Sequence, residues 1–172
     1  VSWPAELGQS PIFYAQRPTG RPADPRVHYS SKYIDAPVEP LFPFGHGLSY
    51  ARFAWRGVRA APAVLRPGGR LAVEVEVANE GPLAGEETVF LFIRDPVASV
   101  ARPLLELKDW RKVALAPGAA ATVRFELPAG ALAFPGPPPD YAPVLEPGLV
   151  EIHVGPSADR RRLLTATVRL AA

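Results

Sequence analysis

The 172-residue sequence contains no cysteine and no methionine. Without cysteine there is no disulfide and no thiolate metal site, and nothing ties the chain to one redox compartment. No apolar run approaches the roughly 18 residues of a membrane-spanning helix. An excess of one charge is also missing: 19 basic residues face 17 acidic ones, for a net charge of +2. Nucleic-acid binding needs a clustered basic patch. The single basic run, Arg160-Arg161-Arg162, reads as a solvated turn. The opening Val1-Ser2-Trp3-Pro4 carries neither an initiator methionine nor a secretory signal. The chain therefore reads as a piece of something longer.

Hydrophobic residues, at 48%, are enough for a core, while 22 prolines and 14 glycines argue against a helical bundle, because an interior proline costs a helix about 3 kcal/mol. Residues 1–50 hold eight of the prolines, too closely spaced for a stable helix. This stretch reads as an extended arm with a short strand near Ile12–Tyr14. Its Trp3, Phe13, Tyr14, Tyr33, Phe42 and Phe44 are too many aromatics for a disordered tail.

From residue 51 the period changes to two. Leu71, Val73, Val75 and Val77 alternate with small or acidic residues. The same alternation recurs at Val123–Leu127, Val150–Val154 and Leu164–Leu170. Each such run is a half-buried strand. Thr88–Ile93 is apolar on both faces, which predicts either a central strand or one covered by a neighbour. Phe53–Val58 and Trp110–Leu115 are weaker candidates. Proline-glycine turns separate these runs, as at Arg66-Pro67-Gly68-Gly69 and Ala116-Pro117-Gly118. About seven short strands over residues 51–172 predict an all-β immunoglobulin or fibronectin type III-like β-sandwich, preceded by the proline-rich arm. Pro135 through Asp140 reads as a stiff, unpaired loop.

The side chains that carry chemistry are sparse. Glu74 and Glu76 share one strand face, roughly 7 Å apart, a spacing open to a glycosidase pair. Two glutamates on the polar face of a half-buried strand are more often simply solvated. Glu86-Glu87 reads as a charge pair at a strand entry. Gly47-Leu48-Ser49-Tyr50-Ala51 lacks the last glycine and the following helix of a nucleophile elbow. The glycines around His46 suit a tight bend, with His46 hydrogen-bonded inside it. His28, His46 and His153 lack metal-ligand spacing, and His153 is expected on the exposed face of its strand. Trp55, Trp110 and Tyr141 are candidates for stacking on sugar rings, although aromatics more commonly serve interfaces. No catalytic residue, metal site or cofactor follows from these residues.

Pro40-Leu41-Phe42-Pro43-Phe44-Gly45-His46-Gly47-Leu48-Ser49-Tyr50 closely resembles a signature of glycoside hydrolase family 3, the β-glucosidase family. Further matches run along the chain. They include Gly8-Gln9-Ser10-Pro11, Tyr33-Ile34-Asp35, Gly85-Glu86-Glu87-Thr88-Val89, Arg94-Asp95-Pro96, Arg102-Pro103, Glu106-Leu107-Lys108 and Glu146-Pro147-Gly148. The resemblance covers only the end of the family's protein. It implies that residues 1–50 complete an upstream α/β-sandwich domain and that 51–172 form a fibronectin type III-like domain. It places the nucleophile and the acid/base upstream of this chain. The chain would then be a non-catalytic accessory region that braces the catalytic domains and shapes substrate access. Phe42, Phe44, Tyr50, Arg94, Asp95, Arg102 and Glu106 are the expected interface residues. The other reading is a carbohydrate-binding module, with Trp110 and Tyr141 stacking on sugar. The expected partners are the upstream catalytic domains and carbohydrate, with no nucleic acid and no membrane. A periplasmic or secreted location is implied, its signal lying before Val1.

Overall fold

The computed structural model describes all 172 residues. Seven long strands form a sandwich: β1 (Phe53–Ala61), β3 (Arg70–Asn79), β4 (Gly85–Arg94), β5 (Glu106–Leu115), β6 (Ala120–Pro128), β9 (Gly148–Gly155) and β10 (Leu164–Leu170). Three two-residue strands complete it: β2 (Val64–Leu65), β7 (Phe134–Pro135) and β8 (Pro143–Val144). One sheet has the order β1-β3-β6 and the other β2-β10-β9-β4-β5. The chain crosses between sheets at Pro62, which has no N–H to continue a ladder.

The alternation read in the sequence maps onto the inner faces. Leu71, Val73, Val75 and Val77 of β3 meet Val89, Leu91 and Ile93 of β4, all essentially inaccessible to solvent. Burying each such side chain contributes about 1.5–3 kcal/mol. Asn79 closes one end of the sandwich. Its buried amide donates to the carbonyls of Leu83 (2.8 Å) and Leu115 (3.1 Å) and accepts from the N–H of Gly81 (3.0 Å). On β1 a register shift falls at Gly57, whose φ of +53° puts it in the left-handed region, the backbone of a bulge that favours glycine.

The outward face of the three-stranded sheet is a ladder of opposite charges. Arg124 meets Glu74 (3.4 Å) and Glu126 (3.5 Å), and Arg56 meets Glu76 (3.3 Å) and Glu80 (2.8 Å). Glu74 and Glu76 are therefore solvated cross-strand partners of arginines.

Two expectations fail here. Ile12–Tyr14 is not a strand, and the arm's single β-bridge joins Trp3 to Phe42 instead. Tyr14 turns its ring onto the sandwich, and that packing replaces a strand partner. The 135–140 segment is not unpaired. Pro135 pairs with Pro143, and the Gly136 N–H donates to the Ala142 carbonyl at 3.0 Å, so the prolines form the tip of a small hairpin.

Candidate interaction surface

β4 is apolar on both faces, and the arm is the reason. Inside lies the main core. Outside, Phe92, Leu105 and Ala158 form a second small core, completed by Tyr14 and Phe44 from the arm and by Phe90. Tyr14 lies 4.8 Å from Phe44 and 5.6 Å from Phe92 between ring centroids, and Phe44 lies 5.5 Å from Phe90. Burial raises the Tyr14 phenol above its ordinary pKa. Gly45 lets Phe44 seat itself. Its φ is +81°, and a Cβ there would meet the Phe90 ring at 2.8 Å, so both backbone and space require glycine. The Phe44 carbonyl also accepts from the Ala158 N–H at 2.8 Å, and the Gln16 carbonyl from the Leu104 N–H at 2.9 Å.

The arm is held together by polar ties as well. Gln9 is buried. Its amide donates to the carbonyls of Pro37 (2.6 Å) and Glu39 (3.1 Å) and accepts from the N–H groups of Ala5 and Glu6. The Lys32 ammonium donates to the carbonyls of Asp24, Pro25 and Val27, closing the loop between them. The sequence hinted at Gln9 only through its motif, and at Lys32 not at all. A side chain that caps distant carbonyls leaves no periodic trace.

The arm presents apolar groups away from the sandwich. Of 19 exposed large hydrophobic side chains, 12 fall within residues 1–50, under a third of the chain. Tyr50 is 95% exposed, Leu48 and Ile34 are fully open, and Trp3, Leu7, Leu41 and Phe42 are also uncovered. Phe42 stacks on the His46 ring at 4.6 Å. The His46 backbone N–H donates to the Pro43 carbonyl at 3.0 Å. Exposed apolar side chains concentrated in one segment make the arm the candidate interaction surface.

The loop between β4 and β5 packs beside the arm. Arg102 is its anchor, with a side chain only 5% exposed. Its Nη2 donates to Glu106 at 2.6 Å, its Nη1 approaches Asp95 at 3.5 Å, and its guanidinium lies 4.8 Å over the Phe134 ring. Nη1 has no hydrogen-bond partner. Burial would raise the Glu106 carboxyl, but hydrogen bonds from Arg102 and Lys108 outweigh it and hold the pKa below the usual range. Asp95 goes the other way: burial dominates and raises it, against the Val97 N–H and the Arg102 charge. Arg94 is salt-bridged to Glu151 at 3.1 Å. Of the expected interface residues, Arg94, Asp95, Arg102 and Glu106 thus take up ion pairs within the chain, Phe44 packs on β4, and Phe42 and Tyr50 face outward.

His153 departs from its expected place. It points outward from β9, yet only 14% of its side chain is exposed. Its Nε2 donates to Glu151 at 3.1 Å, and its Nδ1 accepts from the Thr165 hydroxyl at 2.9 Å. Burial holds its pKa below the ordinary value, against the pull of Glu151. The aromatic candidates sit on separate elements. Trp55 is half-buried against the main core, Trp110 on β5 is 52% exposed, and Tyr141, at φ +52°, is 59% exposed in the hairpin tip. No trio of His, Asp or Glu side chains converges as metal ligands would. Arg160–Arg162 form one exposed 3-10 turn, capped by Asp159.

This two-sheet arrangement is that of a fibronectin type III-like domain, and residues 87–158 match that domain family. The whole chain belongs with the C-terminal portion of glycoside hydrolase family 3 enzymes, β-glucosidases and β-xylosidases. It is 35% identical over 93% of its length to a periplasmic β-glucosidase of Salmonella typhimurium and 36% identical over 98% to a β-xylosidase of Formosa agariphila. It spans 21% and 23% of those two proteins. The solved β-glucosidase of Listeria innocua superposes with a TM-score of 0.90 at 37% identity, covering 99% of this chain and 24% of that one.

Proposed function

We propose that this chain is the non-catalytic C-terminal part of a β-glucosidase-like hydrolase, and that its arm is the face on which the catalytic domains rest. The observation that carries this reading is the crowding of exposed apolar side chains onto residues 1–50. The arm also superposes, within the 99% overlap, on an enzyme about four times as long. Its conformation is therefore one that coexists with the rest of a catalytic polypeptide. Residues 1–50 complete the preceding domain through Phe42 and Tyr50. Phe44 fastens them to the sandwich. The β4–β5 connection, with Arg94 and Glu106 at its two ends and Asp95 and Arg102 between them, stiffens the junction. The reaction of the whole enzyme is retaining hydrolysis of a β-linked terminal sugar by two carboxylates, both supplied from upstream. No helix here is long and apolar enough to cross a membrane. With a relative described as periplasmic, a periplasmic or secreted location suits the whole enzyme.

The test is a graft. The Listeria innocua enzyme is cut before its C-terminal quarter, and this chain is fused in its place. Restored hydrolysis of an aryl β-glucoside, absent from the cut enzyme, is the expected result. A soluble fusion as inactive as the cut enzyme would overturn the reading.

A further inference from the structure

A cleft of about 530 Å³ opens between the arm and the loop end of the sandwich. One wall is apolar: Ile12 and Phe13, with Pro18 and Pro22 from the arm. Phe13 is half exposed within it. The rim is charged, and the charge is unbalanced. Arg94 is held by Glu151, and Arg161 by Asp159 at 2.9 Å. Arg17 and Arg160 also line the cleft, and neither makes an ion pair. The one remaining acid on the rim, Glu39, lends its field to Arg161. Two free guanidinium groups thus stand beside an uncovered aromatic ring and a proline wall.

We propose that this cleft is a docking groove for an acidic segment of the catalytic polypeptide, which sets a carboxylate on Arg17 and Arg160 and an apolar side chain against Phe13. The inference rests on the proposed function and adds the chemistry of the partner. Three observations support that occupant. The groove is lined mostly by the arm, but Arg94, Leu104 and Asp159 through Arg161 come from the sandwich, so whatever spans it ties the two together. Its surplus charge is positive, and guanidinium forks match carboxylates. In the Listeria innocua enzyme about three quarters of the polypeptide lies outside the region that superposes, so a segment is available in the same molecule. An ion pair in such a groove is partly desolvated and weighs more than an exposed one.

The test uses the graft described above and the double variant Arg17→Glu, Arg160→Glu. The expected result is a first thermal transition about 3 °C or more below that of the parent fusion at low salt, recovering in 0.5 M NaCl as like charges are screened. The isolated chain bearing the same substitutions should unfold within about 1 °C of the parent chain, which separates lost docking from lost folding. An intact, active fusion that tolerates the double substitution without a salt-dependent shift would overturn the groove and leave the proposed function standing. An inactive parent fusion would remove both. A shift produced instead by millimolar cellobiose on the isolated chain, abolished by Arg17→Glu, would assign the groove to sugar and also overturn the proposal.

Discussion

At the scale of single residues, the burial of Arg102 is the strongest commitment in the fold. A guanidinium with two carboxylates and a ring around it carries a large desolvation cost, which its partners offset only as a set. Arg102→Ala would leave the half-buried Asp95 without its cation and Glu106 with Lys108 alone. Urea unfolding should show a loss of about 3 kcal/mol, several times that of any exposed pair on the β1-β3-β6 face. His153 gives a pH signature. Its folded pKa lies below its unfolded value of about 6.5, so the unfolded chain takes up a proton first. The stability tied to this group is complete above that pH and drains as pH falls through it. His153→Gln should therefore flatten the fall in stability between about pH 7 and 5, measured as the difference from the parent chain. Neither residue's environment was readable in advance. Arg102 looked like a polar loop residue and His153 like an exposed one, because the neighbours that hold them come from other strands, Phe134 for Arg102 and Thr165 for His153.

At the scale of elements, the long strands were legible because period-two alternation is a direct print of one buried face. β4 was legible for the opposite reason: its lack of alternation announced a second cover. What supplied that cover was not legible. Tyr14 and Phe44 lie 30 residues apart within a proline-rich stretch, and no local rule brings them to one spot on β4. The signature around Phe44-Gly45-His46 pointed to the place without giving the packing. Phe44→Ala should cost about 1–3 kcal/mol, less than the 3–5 of a fully buried phenylalanine, since its ring is not fully covered. The loss should be local. Limited proteolysis within residues 1–50 should accelerate well before the sandwich itself becomes cleavable.

At the scale of the whole molecule, the two faces of the sandwich differ in kind. The three-stranded face is laced with opposite charges and suits water. The five-stranded face carries the arm, and the arm carries most of the uncovered apolar surface. Such asymmetry fits a domain that leans on a larger body from one side. The candidate sugar-stacking residues Trp110 and Tyr141 give no comparable concentration, being divided between β5 and the hairpin tip.

That the arm is the contact face can be read by hydrogen exchange. Amide exchange is measured by mass spectrometry on the isolated chain and on the same chain fused to the catalytic part of the Listeria innocua enzyme. Peptides from residues 1–50 and from the loop between β4 and β5 should slow markedly on fusion, while β1, β3 and β6 exchange as before. Unchanged exchange across the arm, or protection that falls on the charged three-stranded face instead, would contradict it.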